Sequence, residues 1–166
     1  MTDQIIFYVM GVSGCGKSTI GKLLSEALSL PFFDGDDYHP KANVEKMAAG
    51  KPLNDDDREG WLERLNELSL EHQNHGAVIA CSALKESYRT MLIKNLNASH
   101  FVYLKGSFEE ISERLAQRKN HFMPIDLLKS QFDDLEVPVD AITVSIMNTP
   151  EQILRSIIKE YKRKKP

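Results

Sequence analysis

The eight residues from position 11 to 18 are Gly11-Val12-Ser13-Gly14-Cys15-Gly16-Lys17-Ser18. They fit the pattern G-x-x-x-x-G-K-[ST], which is typical of a phosphate-binding loop. The segment before them, residues 5–10, is apolar and predicts a buried strand, and the apolar residues after them recur at helical spacing. The stretch therefore joins a strand to a helix, which is the context that this pattern requires.

The residue types of this loop suit the binding of a nucleotide. Glycines let backbone N–H groups approach phosphate oxygens, and the following helix directs the positive end of its dipole at the same anion. We expect Lys17 to reach the β- and γ-phosphates as a catalytic residue, and the Ser18 hydroxyl to join a Mg²⁺ shell. The predicted nucleotide contacts of the loop are Gly11, Val12, Ser13, Gly14, Cys15, Gly16, Lys17, Ser18 and Thr19.

The composition is that of an ordinary globular domain. The chain has 166 residues, 42% hydrophobic and 27% charged, so we expect one domain over residues 1–166. It shows no apolar run of membrane-spanning length and no secretory signal, which makes the cytoplasm the expected location. The net charge is −3, and the basic run of residues 162–165 contributes +4, which leaves −7 for the remainder. This balance argues against nucleic acid as a partner.

Five strand-like segments alternate with helical ones, at residues 5–10, 31–34, 77–81, 101–105 and 141–145. Their connections are long enough for crossover helices, so we predict an α/β fold with a five-stranded parallel sheet covered on both faces. Ser107 and Thr149 begin capping-box patterns that mark two helix starts. Ligands of such sheets bind beyond the carboxyl ends of the strands, so residues that follow the strands are expected to meet there.

Acidic residues follow the second strand. A small kinase needs a group that orients the acceptor hydroxyl and accepts its proton, and Asp36 is the candidate for that role. Alternatively these acids cap the next helix and face water, which is a strong competing interpretation for Asp34. His39 is a candidate substrate contact because of its position close behind Asp36.

Three basic residues are candidates for binding an anionic substrate. Arg58 follows three acids that suit a helix N-terminus, and a cation there opposes the helix dipole, which indicates a use such as holding an anion. Lys85 and Arg89 are four residues apart and share a helix face, where they either contact the same anion or face solvent. The third strand lacks an aspartate at its end, so Mg²⁺ would depend on Ser18, the phosphates and water, and could involve Asp36.

A second group of cations predicts a mobile lid around residues 114–130. Arg114, Arg118 and His121 precede Phe122-Met123-Pro124, and we expect both arginines to contact the nucleotide. Arg118 would act catalytically by stabilising the transferring phosphoryl group, and closure would exclude water. The alternative is a polar helix end, where cations are favourable.

Taken together, these segments resemble the gluconokinase family of small P-loop kinases, which are related in shape to shikimate kinase. The matching segments are residues 11–18, 34–36, 39–40, 43, 46–47, 52–58, 61–62, 81–85, 88–89, 103–106, 121–122, 131–132 and 135–136. The resemblance covers nearly the whole chain. It departs from the family pattern at Cys15, where a serine or another small residue is common, and at Met123-Pro124 in the predicted lid.

This resemblance implies a P-loop kinase fold and ATP-dependent phosphorylation of D-gluconate at its 6-hydroxyl, with Mg²⁺ and a homodimer. Within it, Asp36 resembles the acceptor-side carboxylate, and the three basic residues Arg58, Lys85 and Arg89 resemble sugar-acid contacts. Gln131 is similar in position to a substrate contact near the lid, and Arg114 and Arg118 resemble lid cations.

Two other functions compete with this interpretation. One is a kinase for another small anion, such as shikimate. The other is a nucleotide-dependent switch, but the Asn-Lys-x-Asp motif of switch GTPases is absent from the sequence. Adenine recognition is not marked by a motif, and residues 147–150 after the fifth strand are a plausible place for it.

Overall fold

A parallel five-stranded sheet forms the centre of the computed structural model, which describes residues 4–118 and 124–165. Its strands are β1 (Ile6–Met10), β2 (Phe32–Asp34), β3 (Ala77–Ala80), β4 (Ser99–Lys105) and β5 (Ile142–Ser145). The helices are α1 (Lys17–Leu28), α2 (Lys41–Ala48), α3 (Asp55–His72), α4 (Glu86–Leu92), α5 (Phe108–Ala116), α6 (Ile125–Asp134) and α7 (Pro150–Lys164). Each of the five strands overlaps a segment predicted from the sequence, so the predicted α/β class is confirmed.

The strand order β2-β3-β1-β4-β5 places β1 in the middle of the sheet. All four neighbouring pairs are parallel, so the carboxyl ends of β1, β2 and β3 lie at one edge. The phosphate-binding loop follows β1 at this edge, and the acidic segment follows β2. The topology therefore brings together the segments that the sequence predicts to meet.

Helices cover both faces of the sheet, as two neighbouring residues of β1 show. Consecutive strand residues point to opposite faces. The ring of Phe7 packs against Tyr161 of α7, with ring centroids 5.0 Å apart, whereas the hydroxyl of Tyr8 donates to the carbonyl of Leu92 in α4 at 3.0 Å. All five residues of β1 have no solvent exposure, because strands flank them on both sides and helices above and below.

Capping boxes begin three of the helices. The two predicted ones are confirmed, since Ser107 caps α5 and Thr149 caps α7. The third, Asn54 with Asp57 at the start of α3, was not predicted, because the consecutive acids there were assigned only to the helix dipole. This cap fixes the first turn of α3, which carries Arg58.

The predicted lid falls on the end of α5, an undescribed segment and α6. The candidates His121, Phe122 and Met123 lie outside the described residues, and lid movement stays a prediction. Among residues 4–118 and 124–165, no helix combines the length and the apolar character that crossing a bilayer requires.

Candidate active site

The phosphate-binding loop has the backbone that its glycines permit. Gly14 and Gly16 adopt φ angles of +84° and +99°, which side-chain-bearing residues rarely adopt. The Nζ of Lys17 lies over the loop and donates to the carbonyls of Gly11 and Val12, at 3.1 Å each. The amine that is expected to contact the phosphates is therefore already held at the rim of the loop.

Asp34 connects this loop to the end of β2. Its Oδ2 accepts a hydrogen bond from the Ser18 hydroxyl at 2.7 Å, and its Oδ1 accepts from the backbone N–H of Asp36 at 3.0 Å. Asp34 therefore caps the turn that follows β2, as the competing interpretation expected, but the sequence did not indicate its contact with Ser18. The oxygen-only donor set of Ser18 and Asp34 suits Mg²⁺, which prefers hard oxygen ligands.

A cleft of about 420 Å³ joins the loop to the predicted substrate residues. Its lining includes Ser13, Gly14, Lys17, Asp36, His39, Arg58, Trp61, Ser82 and Gln131. A volume of this order suits a small ligand, since such sites usually measure roughly 300–1,000 Å³. Asp36 and Arg58 therefore lie on the same side of the sheet as Lys17, as the enzymatic interpretation requires.

Asp36 is the carboxylate that lines this cleft among the described residues. Its side chain is open to the cleft, but desolvation by the surrounding protein raises its pKa. The positive charge of Lys17 opposes this change, whereas the negative charges of Asp34 and Asp37 reinforce it. A carboxylate with a raised pKa is a better proton acceptor than an ordinary aspartate.

His39 is a neutral hydrogen-bond donor beside Asp36. Its ring stacks on Trp61, with centroids 4.0 Å apart, and burial, reinforced by the charge of Arg58, lowers its pKa to about 4. The amide nitrogen of Asn43 donates to the carbonyl of Asp57 at 2.8 Å and lies 3.3 Å from Nδ1 of His39. Nδ1 is therefore the acceptor and Nε2 carries the proton, 3.9 Å from Oδ1 of Asp36.

Arg58 is the buried cation of the cleft. Its Nη1 donates to the Tyr88 hydroxyl at 2.9 Å and to Oδ2 of Asp134 at 3.0 Å. Burial disfavours the charged guanidinium, but these two hydrogen bonds offset that effect and the pKa of Arg58 is raised. The side chain is therefore a fixed positive charge rather than a mobile surface group.

The two predicted lid arginines border the nucleotide side of the loop. Arg114 donates to the carbonyls of Ile146 at 3.0 Å and Cys15 at 3.4 Å. It lines, together with Arg118, a groove that also contains Asn148 and Pro150. This groove includes part of the segment expected to recognise adenine, and Arg118 also lines the pocket around Lys17.

Comparisons with known proteins agree with this geometry. The sequence model of the shikimate kinase family matches residues 13–162. The thermoresistant gluconokinase of Escherichia coli (strain K12) is 41% identical over 169 residues, covering 98% of this chain and 97% of that protein. The thermosensitive gluconokinase of the same strain is 50% identical over 134 residues, which is 80% of this chain and 72% of that protein.

This chain belongs to the gluconokinase family of small P-loop kinases. The crystal structure of a gluconokinase from Sinorhizobium meliloti 1021 superposes with a TM-score of 0.84 at 37% identity, covering 96% of this chain and 97% of that one. The predicted P-loop kinase fold and the prediction of an enzyme, a kinase, are therefore confirmed.

Two of the contacts expected from the gluconokinase resemblance lie away from the cleft. Lys85 pairs with Asp55 at 2.9 Å and lines a neighbouring cavity, which it shares with Arg58. Arg89 is buried, and its guanidinium donates to the backbone carbonyls of Ala83, Leu84 and Glu136. The structure therefore does not bring Arg89 to the substrate side; it ties the loop after β3 to the segment after α6.

Gln131, the expected gluconokinase substrate contact near the lid, is in α6 and contacts the phosphate-binding loop. Its Oε1 accepts from the backbone N–H of Ser13 at 2.7 Å, and its Nε2 donates to the Ser13 hydroxyl at 3.0 Å. Gln131 also lines the cleft, so it borders the substrate and the nucleotide sides together.

Sequence reasoning missed three residues of this site. Trp61 was assigned only to the core, although its ring forms the wall under His39. Tyr88 and Asp134 were not considered as partners of Arg58, because they are 30 and 76 residues away in sequence.

Proposed function

We propose that this protein transfers the γ-phosphoryl group of ATP to the 6-hydroxyl of D-gluconate and forms 6-phosphogluconate. The observation that carries the proposal is a single cleft that contains Lys17, Asp36 and the buried guanidinium of Arg58. A kinase for an acidic polyol needs these three groups: a phosphate-binding cation, a base and a partner for the carboxylate. The curated gluconokinases among its relatives support this choice of substrate.

In this mechanism the acceptor hydroxyl lies between His39 and Asp36. The N–H at Nε2 of His39 donates to the hydroxyl oxygen, and the hydroxyl donates its proton to Asp36. The oxygen then forms a bond to the γ-phosphorus as the bond from that phosphorus to the β,γ-bridging oxygen breaks, ADP leaves, and Asp36 holds the proton. Holding both reactants in one cleft lowers the entropic part of the barrier.

Cations stabilise the charge that develops on the phosphoryl group. Lys17 and the loop amides hold the β- and γ-phosphates, and Arg118 borders the same pocket. We propose that the Ser18 hydroxyl would bind Mg²⁺ and that Asp34, which accepts a hydrogen bond from this hydroxyl, would orient it. The ion would neutralise phosphate charge when bound.

Arg58 gives the proposed selectivity for an acid. Charged hydrogen bonds contribute roughly 1.5–3 kcal/mol each, so a carboxylate on this guanidinium adds substantially to binding. Glucose lacks the carboxylate and forgoes that contribution. We also propose that Lys85, at the adjoining cavity, contributes positive charge near the carboxylate.

A panel of acceptors tests the proposal. ADP formation is measured with gluconate, galactonate, idonate, shikimate and glucose, and without an acceptor. We expect turnover to require the acid and to be fastest with gluconate. Equal catalytic efficiency with glucose, a preference for shikimate, or turnover without an acceptor would each overturn the proposal.

We further propose that the protein acts as a homodimer in the cytoplasm, where ATP is available. The resemblance to the family supports the dimer. Light scattering coupled to size-exclusion chromatography measures its mass directly, and a mass near the 18.8 kDa of one chain would contradict it.

A further inference from the structure

Arg58 borders the cleft, but a carboxylate of the protein already neutralises it. The Nη1 of Arg58 lies 3.0 Å from Oδ2 of Asp134, and their side chains are 7% and 28% exposed. The nearby acids Asp55 and Asp57 form ion pairs with the lysines at positions 85 and 46. A buried guanidinium requires a partner, because an unpaired buried charge is costly. Asp134 is therefore the carboxylate that balances Arg58.

The same helix also contacts the phosphate-binding loop. Gln131 and Asp134 are three residues apart in α6, which places them on one helical face. Gln131 accepts from the N–H of Ser13, and Asp134 accepts from Arg58. One face of α6 thus offers acceptors to a backbone donor of the loop and to the cation assigned to the substrate carboxylate. In the free protein, α6 therefore accepts hydrogen bonds from two donors, the Ser13 N–H and Arg58, that the proposed mechanism assigns to the phosphates and to the sugar acid.

We propose that Asp134 is a built-in competitor for the carboxylate of the sugar acid and thereby sets how tightly the acid binds. This inference rests on the proposed function. An acid that reaches Arg58 from the cleft either replaces Asp134 or shares the guanidinium with it. Replacement breaks an existing ion pair, and sharing brings two negative charges close together, so both lower the affinity.

The competition is specific to acids. An uncharged sugar does not displace Asp134 and is not repelled by it. The pocket around Lys17, which is assigned to the phosphates of the nucleotide, is lined by Asp34 and Asp36 and does not include Asp134. Removing the charge of Asp134 is therefore expected to change acid affinity alone.

The test compares Asp134→Asn with Asp133→Asn. Asp133 is the adjacent, exposed carboxylate of α6. It lines the neighbouring cavity that Arg58, Lys85 and Asp134 also line, and it has no ion pair within the described residues. We expect Asp134→Asn to lower the KM for gluconate by about fivefold or more, because a like charge close to the bound acid is removed. The control is expected to change this KM by less than about twofold, as surface substitutions do. The KM for ATP should stay unchanged in both variants.

Two further variants guard against misfolding and misassignment. Asp134→Glu keeps the charge and should keep the KM near that of the wild type. Asp134→Thr is a second uncharged variant that should reproduce Asp134→Asn, and circular dichroism and ADP affinity report whether each variant is folded. A KM for gluconate that is unchanged or raised in the folded uncharged variants would overturn the inference, since Asp134 would then only orient Arg58.

Binding measured without turnover separates this inference from the proposed function. Trp61 is the chain's single tryptophan and lines the cleft, so its emission can follow a gluconate titration in the presence of ADP. Tighter binding by Asp134→Asn without any phosphoryl transfer in the wild type would retain the inference and reject the function. Transfer by the wild type with identical affinities in both proteins would reject the inference alone, and no binding by either protein would reject both.

Discussion

Asp34 and Asp36 are separated by one residue but have different surroundings. Asp34 accepts hydrogen bonds from Ser18 and from a backbone N–H, which hold it against the phosphate-binding loop. Asp36 faces the cleft with a raised pKa and lies beside the N–H of His39. The first is therefore suited to the metal side of the reaction and the second to the proton of the acceptor.

Replacing Asp36 with Asn tests this division. We expect Asp36→Asn to reduce kcat by roughly 10²–10⁴, because general base catalysis contributes about that much. ATP binding should persist, since the loop is unchanged. Calorimetry with ADP and steady-state assays with gluconate measure the two quantities, and Asp140→Asn, at an exposed aspartate outside the lining of the cleft, is the control. Turnover near the wild-type rate would remove Asp36 from its assigned role.

The raised pKa of Asp36 also predicts a pH dependence. Asp36 accepts a proton only when ionised, so kcat/KM should fall as the pH drops through its pKa, at a higher pH than for an ordinary aspartate. Removing the negative charge of Asp37 lowers that pKa, because Asp37 is one of the groups that raise it. The acid limb of the pH–rate profile should therefore move to lower pH in Asp37→Asn. If the acid limb does not move, the ionisation that produces it belongs to a group other than Asp36.

Sequence reasoning located the groups of the site better than their partners. Lys17, Asp36 and Arg58 were predicted because a motif, a strand end and an unfavourable helix position each mark them. Arg89 was expected at the substrate, but its three carbonyl acceptors lie in loops whose folded positions the sequence does not state. Asp134 was missed for the same reason, since its contact with Arg58 depends on how α6 packs.

At the scale of elements, the start of α3 connects helix formation to substrate binding. The Asn54 side chain accepts a hydrogen bond from the backbone N–H of Asp57 at 2.8 Å, and the Asp57 side chain accepts one from the backbone N–H of Asn54 at 2.9 Å. Arg58 follows directly. The cap therefore orders the turn from which the guanidinium extends into the cleft.

We expect Asn54→Ala to lower the free energy of unfolding by about 1 kcal/mol, the usual cost of losing a cap. It should also raise the KM for gluconate several-fold, because the first turn of α3 frays. Ser107→Ala removes the cap of α5 and should cost similar stability while leaving that KM unchanged. Urea denaturation and steady-state assays measure both effects, and equal KM values in the two variants would contradict the link.

The strands were predictable because each is a short apolar run followed by turn residues. The cap of α3 was harder to predict, since Asn54 precedes three acids that equally suit the helix dipole. The lid region was the least predictable element: its arginines are marked by charge, but the contact of Gln131 with Ser13 spans 118 residues. Contacts of that range follow from packing rather than from local sequence.

At the scale of the whole molecule, His39 links the cleft to stability. Its pKa of about 4 lies below the ordinary value of 6.5, so the unfolded chain binds a proton that the folded protein excludes. The free energy of unfolding should therefore decrease as the pH falls from 6.5 to 4, by up to about 3 kcal/mol from this group. Urea denaturation across this range measures the slope.

His39→Gln should reduce this slope, because one group that takes up a proton on unfolding is gone. Part of the slope should remain, since burial also lowers the pKa of His100. His75→Gln is the matched control, since His75 is exposed, and it should keep the slope of the wild type. If both variants retain the same slope, another group is responsible.

The phosphate-binding loop continues directly from β1, the strand with no solvent exposure at the middle of the sheet. The part of the cleft that is proposed to bind the sugar acid is formed instead by α2, the first turn of α3 and α6. Side-chain contacts connect these helices, as those of Asn43 with Asp57 and of Arg58 with Asp134 show. The amides of β1 should consequently exchange with deuterated solvent only through global opening, and those of α6 through smaller fluctuations. At low denaturant concentrations the protein should therefore lose its affinity for the sugar acid before it loses its affinity for the nucleotide.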